Sequence, residues 1–501
     1  MDHILYWNAV AIEANKRDFS NVPGTNKPSP EQGGPTRSSR ALAIVHLAMY
    51  DAHAGVVNNP ALPRYLNPAP ALPPGATDAS ASVAAAAHAC LSALFPRQKS
   101  HFDAAYAVAG ISGLGLAKSR EFGLSVANAI LADRDGDPGA GDDGYTASMR
   151  VGGHRPDPAN PGQGFHAPFY GARSKCFAVT ARHELDSPST LSAAEHDAAL
   201  KQVRGKGVAP ELMGTLPTTY KKRTIDQTLV GLYWAYDGPR ELGTPPRLYN
   251  QIVREIATQE NNTVDTNARL FALVNAAMGD AAILAWDQKY IHNLWRPVLG
   301  IREHDASMGP AASTPKDNID NDCDPEWLPL GGPSSNSYVA ATDTSPARSE
   351  RNFTPPFPAY PSGHATFGAA AFQIVRLFYR GDEAKKLLPD DVYKGPFVSD
   401  ELNGMTRDNT GAVRPRHLRK FSDGLLQVIH ENGFSRVWLG VHWSFDAFAL
   451  KDNKPDLSRD ANNGKFTRKI GGVPLGIMIA EDIFAAGGGK APVKSPVGPR
   501  P

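Results

Sequence analysis

A series of long, alanine- and leucine-rich stretches, with apolar residues returning every three or four positions, limits what this chain can fold into. In Ser38–Val57 (SSRALAIVHLAMYDAHAGVV) that spacing marks one buried face of a helix. The pattern recurs in Ser82–Phe95, Gly115–Ala132, Ala193–Arg204, Thr228–Tyr236, Leu248–Ala257, His364–Tyr379, His417–Trp438 and Leu475–Phe484, and its longest run extends from Asn267 to Arg302. Strand-like alternation is scarce and short, so the predicted fold is mainly α. A chain of 501 residues exceeds the usual span of one hydrophobic nucleus. Two helical units are expected, residues 1–220 and 221–486, parted softly near 220.

Proline and glycine gather between the helices. Asn58–Asp78 reads as a proline-rich connector, and Arg134–Pro168 and Ala306–Pro361 as long irregular loops of the kind that carry function. Residues 487–501 (GGGKAPVKSPVGPRP) have almost no apolar content and are expected to be a disordered tail. The opening MDHILYWNAVAIEANKRDF lacks the basic, apolar and cleavage regions of a secretory signal and predicts an amphipathic helix. No stretch reads as long and apolar enough to cross a bilayer, so a soluble protein is expected. Lys and Arg total 52 against 51 Asp and Glu, which argues against a coat for nucleic acid or an anionic membrane. Three cysteines (Cys90, Cys176, Cys323) exclude a disulfide scaffold, a four-thiolate zinc site and a cysteine-ligated iron–sulfur cluster, and leave room for one pair.

Asp133, Asp135 and Asp137 occupy the first ligand spacings of a calcium loop. Pro138 and Gly144 then stand where its turn glycine and bidentate glutamate belong, so a solvated acidic loop is expected there and in Asp317–Asp324. Zincin, phosphate-loop and nucleophile-elbow motifs are absent. His46 and His53, on an apolar helix, read as structural. Three segments carry chemistry: Lys289–Pro297 (KYIHNLWRP), Tyr360–Ala365 (YPSGHA) and Ser435–Asp446 (SRVWLGVHWSFD). They combine the cations Lys289, Arg296 and Arg436, the imidazoles of His364 and His442, the Ser362 hydroxyl and the Gly363 amide, with His292 a further imidazole. That is an inventory for a tetrahedral oxyanion: fixed positive charge, a backbone donor, and a nucleophile or ligand. On one helix, Lys289 and Arg296 would share a face about 10 Å apart along the axis, with Pro297 ending or kinking it. Ser362 and Gly363 precede a helical run, where free N–H groups favour an anion. If helical, His442 and Asp446 are neighbours on one face, and the carboxylate orients the ring.

In this order, the patterns K-x6-R-P, P-S-G-H and S-R-x5-H-x3-D resemble the signature shared by vanadium-dependent haloperoxidases and the type-2 phosphatidic acid phosphatase superfamily. The likeness extends to Ile4–Asn8 (ILYWN), Ser38–Ala52, Phe165–Gly171 (FHAPFYG), Leu232–Gly238, Gly243–Val253, Asn267–Leu273, Thr354–Gly368 and Ile470–Ile477, which resemble the fungal vanadium chloroperoxidase type over nearly the whole chain.

This resemblance implies two four-helix bundles with vanadate as cofactor. His442 would supply the one protein bond to vanadium, and Lys289, Arg296, Ser362, Gly363 and Arg436 would bond its oxygens. It makes His364 the acid–base residue, pairs Asp237 with Arg436, and places Trp286 and Phe357 on the halide side. Algal bromoperoxidases have histidine where this chain has Phe357, so the chloroperoxidase type fits better. His292 and Asn293 depart from the family pattern, and an inward His292 would alter halide preference. The implied partners are hydrogen peroxide, halide (bromide, chloride, iodide) and small organic acceptors, with no nucleic acid and no membrane insertion. In the implied chemistry His364 moves the peroxide proton, Lys289 draws electron density from the bound oxygen, and halide attacks it to give hypohalous acid or an equivalent. Two competitors use the same cradle: an acid phosphatase with His442 as nucleophile, and a non-catalytic oxyanion-binding protein.

Overall fold

The computed structural model describes residues 2–19, 30–109, 116–239, 242–303, 323–333, 352–408 and 412–500. Among them the chain is overwhelmingly helical: α1 (His3–Asp18), α2 (Gly34–Val57), α3 (Ala79–Leu94), α4 (Lys99–Val108), α5 (Ala117–Asp133), α6 (Tyr170–Arg173), α7 (Ala193–Lys206), α8 (Ile225–Tyr233), α9 (Pro245–Gln259), α10 (Val264–His292), α11 (Pro297–Arg302), α12 (Gly363–Arg380), α13 (Gly424–Trp438), α14 (Ser444–Ala447) and α15 (Gly472–Ala486). A two-residue hairpin, β1 (Leu450–Lys451) with β2 (Lys454–Pro455), is the one sheet among these residues.

Local chemistry sets the helix ends. Asp78 and Thr263 cap α3 and α10 by accepting from the Ala81 and Thr266 amides, and Ser192–Glu195 and Thr224–Gln227 form reciprocal boxes at α7 and α8. In one bundle α2 packs against α3, α5 and α10; in the other, α12 packs against α10, α13 and α15, and α8 lies on α13. Because α10 serves both bundles, it is apolar nearly all round and buried along almost its whole length. By length and composition it could cross a membrane, contrary to the sequence reading, but protein surrounds it here. One continuous hydrophobic core joins residues on both sides of position 220.

Three sequence expectations need correction. The predicted helix from Asn267 to Arg302 is broken: α10 ends at His292 with Asn293 in the left-handed region (φ 49°), and Arg296 is extended (ψ 157°) ahead of Pro297. Proline disfavours helix in the residue before it, and asparagine tolerates the left-handed cap. The tail from 487 is docked rather than disordered. Ala491 is buried, the Cys176 amide donates to the Val497 carbonyl (2.9 Å), Ser495 N–H donates to Phe177 O (2.9 Å), and Arg500 Nε reaches both oxygens of buried Asp287 (2.8 Å). Extended, proline-rich backbone can satisfy a neighbouring loop without a helix or an apolar face of its own.

The acidic loop is not simply solvated either. Asp137 is buried between Arg40 (2.7 Å) and Arg134 (2.8 Å), and Asp133 meets Lys175 and Lys494. Most of Asp317–Asp324 and of the loop from Ala306 lies outside the described residues. Cys90, Cys176 and Cys323 are buried thiols that form no disulfide among the described residues. His46 and His53 are structural as expected: His46 bonds Asn8 and the Leu42 carbonyl, and His53 bonds Asp265.

Candidate oxyanion site

The three sequence segments converge where α10 ends and α12 begins. Lys289, in the last turn of α10, is fully buried. Its ammonium donates to the carbonyls of Pro358 (2.8 Å), Ala359 (3.1 Å) and Pro361 (2.5 Å). Three donors meet three acceptors, so Lys289 fastens the turn that delivers Ser362 and Gly363. Arg296 reaches the site from the N-cap of α11 rather than along α10. Its Nε donates to Phe357 O (2.8 Å), and Nη1 donates to Val441 O (2.8 Å) and to His442 Nε2 (2.9 Å), while Nη2 is buried with no partner among the described residues.

Ser362 caps α12. Its amide donates to the Asp446 carbonyl (2.7 Å), and its Oγ accepts weakly from the Ala365 amide (3.4 Å). Gly363 opens the helix, where an N–H has no intrahelical acceptor. Arg436, near the end of α13, forms a two-point ion pair with Asp237 (2.6 and 3.0 Å), leaving its Nε buried and without a partner among the described residues. Asp237 lies in the turn after α8, and Gly332 makes room for it, since a Cβ there would come within 2.8 Å of the carboxylate.

His442 precedes the short α14. Its Nδ1 bonds Asp446 Oδ2 (2.8 Å), which also accepts the Trp443 amide (2.9 Å). Arginine can only donate, so the contact from Arg296 makes Nε2 the acceptor and leaves the proton on Nδ1, facing the carboxylate. An unprotonated lone pair is thus fixed beside the cations. Burial, then Arg296 and Lys289, hold the His442 pKa well below the usual histidine value. Burial also pushes Asp446 up to about 7 against the pull of Lys289 and Arg296, and lowers Arg296 to about 9. His364, in the first turn of α12, donates from Nε2 to the Ala235 carbonyl (2.5 Å) and lies 3.9 Å from Asp237; burial, then Arg436, bring it down to about 3.

Gly363, His364, Asp237, Arg436 and His442 open onto a cavity of about 720 Å³. Lys289 and Arg296 stand behind this wall. Trp286 and Phe357 line it with rings 4.7 Å apart, and Phe357 packs under both hidden cations, 5.0 Å from Lys289 Nζ and 4.8 Å from the Arg296 guanidinium carbon. His292 turns away and sets its ring edge-on to Tyr360 at 5.0 Å. The sequence reading assigned no role to His166, which joins the cavity wall from the long loop before α6. Its signal was the Phe165–Gly171 segment, aromatic and histidine-bearing within an otherwise glycine- and proline-rich loop.

Fold and site together define a class: helical double-bundle proteins with a pocket at which buried arginines, a helix N-terminus and an imidazole converge. Comparison with known proteins narrows it. Residues 1–176 match the "Vanadium chloroperoxidase N-terminal domain", and residues 269–452 match the "VCPO second helical-bundle domain". The vanadium chloroperoxidase of Curvularia inaequalis is 35% identical, over 100% of this chain and 94% of its own length. The chain belongs to the vanadium haloperoxidase family. The fold is shared with the crystal structure described as the first bacterial vanadium-dependent iodoperoxidase (TM-score 0.59, 19% identity, 95% of each chain). It is shared also with a holo-type bacterial vanadium-dependent chloroperoxidase (TM-score 0.56, 15% identity, 92% of this chain and 95% of that one).

Proposed function

We propose that this protein is a vanadium-dependent haloperoxidase, which uses hydrogen peroxide to oxidise halide to hypohalous acid or an equivalent that halogenates organic acceptors. Bromide and iodide are its expected substrates, with chloride the most demanding. The reading is carried by His442: Asp446 orients its ring through Nδ1, and Nε2, which accepts from Arg296 Nη1, lies beside two buried arginine N–H groups that have no partner among the described residues. These groups fit vanadate: His442 would bond vanadium, while Arg296 Nη2, Arg436 Nε, the Gly363 amide and the Ser362 hydroxyl would bond its oxygens. Bound there, vanadate supplies Lewis-acid activation of peroxide at constant oxidation state.

The protein supplies the rest. His364 has committed Nε2 to Ala235, so Nδ1 is the nitrogen able to take and return a proton, from a ring that burial holds neutral. Asp237 clamps Arg436 and steadies His364. Lys289, with all three donors engaged, acts as the anchor of the 358–361 turn behind the wall, a more indirect part than bonding to the anion. Trp286 and Phe357 exclude water from one side of the cavity.

The test compares vanadate-loaded protein with chloride, bromide and iodide, using peroxide and a phenolic dye, beside phosphate-ester hydrolysis by vanadate-free protein. Bromide-dependent halogenation that disappears in His442→Ala is expected. Its absence with vanadate, peroxide and bromide all supplied would refute the proposal. Ester hydrolysis lost in His442→Ala, without halogenation, would establish the phosphatase reading, in which the same lone pair attacks phosphorus. Vanadate binding that survives His364→Ala, with neither activity in the parent protein, would leave an oxyanion-binding protein.

A further inference from the structure

His166 lies in the loop before α6, yet every part of it is tied to the site. Its amide donates to the Pro356 carbonyl (2.8 Å), beside Phe357, and its own carbonyl accepts from Trp286 Nε1 (3.3 Å) and from the Tyr290 hydroxyl (2.8 Å). The backbone is therefore pinned both to α10 and to the loop that carries Phe357. The ring meets Trp286 edge-on at 5.9 Å and Phe357 at 6.0 Å, so three rings form one corner of the cavity. Gly34, at the start of α2, makes room for it: a Cβ there would fall 2.3 Å from the imidazole.

The ring nitrogens are not equivalent. Nε2 is 3.0 Å from the Thr36 hydroxyl, a buried group with no other side-chain partner among the described residues. When that hydroxyl donates its one proton to Nε2, the imidazole proton resides on Nδ1, and Nδ1 has no hydrogen-bond partner among the described residues. Trp286 Nε1, the other ring N–H of this aromatic corner, is engaged with the His166 carbonyl. A halide in this corner would face aromatic rings whose π-faces repel anions and whose edges attract them only weakly. It needs an N–H.

We infer that His166 is the halide-binding residue of the aromatic corner, its Nδ1–H donating to a halide ion held against Trp286 and Phe357, with Thr36 setting the tautomer. The inference rests on the haloperoxidase reading and adds to it a contribution from the N-terminal half of the chain. Losing one hydrogen bond to an anion should weaken halide binding about tenfold, most for chloride, the most strongly hydrated of the three.

Steady-state kinetics of vanadate-loaded His166→Phe, His166→Gln and Thr36→Val test it, with bromide titrations followed by tryptophan fluorescence. Phe keeps the ring and removes the N–H; Gln restores a donor; Thr36→Val leaves the ring but frees its tautomer. The expected result is a halide KM raised about tenfold in His166→Phe, partly restored in His166→Gln and intermediate in Thr36→Val, with peroxide KM and vanadate affinity unchanged. A halide KM within about twofold of the parent in both His166 variants, at normal vanadate affinity, would overturn the inference. Should His166→Phe fail to fold, the Gln and Val variants decide by the same criteria. If the parent protein turns over no halide but shows saturable, His166-dependent bromide quenching, the site stands and the activity reading fails. Without either, both fall.

Discussion

Replacing Asp446 by Asn separates the charge behind His442 from the shape of its support. Asp446 Oδ2 accepts both His442 Nδ1–H (2.8 Å) and the Trp443 amide (2.9 Å), while Oδ1 is buried without a partner. An asparagine carbonyl can keep both bonds, with its NH2 group falling where Oδ1 stands. The ring thus keeps its tautomer, but loses the negative charge that raises the basicity of Nε2. Loss of such a partner behind a metal-ligating histidine costs about 10- to 100-fold in affinity, or about 1.4 to 2.7 kcal/mol. The fold should barely notice. Burial already pushes this carboxyl up to about 7, so removing the charge relieves a desolvation cost that offsets the two N–H donors the amide leaves unsatisfied, a net change of about 1 kcal/mol. Equilibrium dialysis against vanadate, beside thermal unfolding of the vanadate-free protein, measures both quantities. Asp446→Leu, which removes both bonds, should lose stability as well as affinity. Vanadate binding by Asp446→Asn within about twofold of the parent would show that the carboxylate does not tune the ligand, and the reasoning would fail.

Other consequences can be measured directly. Asp280→Ala should cost about 3 to 5 kcal/mol in denaturant unfolding, because this buried carboxylate accepts the amides of Phe177 (2.5 Å), Ala178 (2.7 Å) and Val179 (2.9 Å) and ties the loop after α6 to α10. Deleting residues 490–501 should lower stability by about 3 kcal/mol by stripping partners from Cys176, Phe177 and Asp287; an unchanged melting temperature would mean that the docked tail adds nothing. Stability should fall as pH drops from 6.5 towards 4: an unfolded histidine takes up a proton in that window, whereas buried His46 does so only near 4, a loss of up to about 3 kcal/mol from this residue. His430, lowered to about 4 by burial, acts in the same sense, and His46→Gln should flatten the acid limb of a melting-temperature profile.

Much of this protein was legible in one dimension. The three- and four-residue apolar periods of Ser38–Val57 and His364–Tyr379 determined helices and their buried faces, because a helix that packs on one side must repeat on its own pitch. The three motifs likewise named residues that converge at or just behind the cavity wall, since the cations, the helix-opening Ser-Gly pair and the His442–Asp446 pair are each local. What the tertiary structure decided is the set of partners from distant parts of the chain. Nothing near Lys289 in sequence says that its donors end on the carbonyls of Pro358, Ala359 and Pro361, or that Arg296 arrives from a second helix after a break at Asn293. The tail looked free because it has no apolar face, yet it docks because loop amides near Cys176 and the carboxylate of Asp287 need partners. His166 sat in a segment that resembles the family but was given no role: it gains its meaning only where the Thr36 hydroxyl, the Trp286 ring and the Phe357 loop come together around it. Periodicity records that a residue is buried, and a motif records chemistry carried within a few turns. The choice of partner for a buried polar group is made by long-range packing, which leaves no period in the sequence.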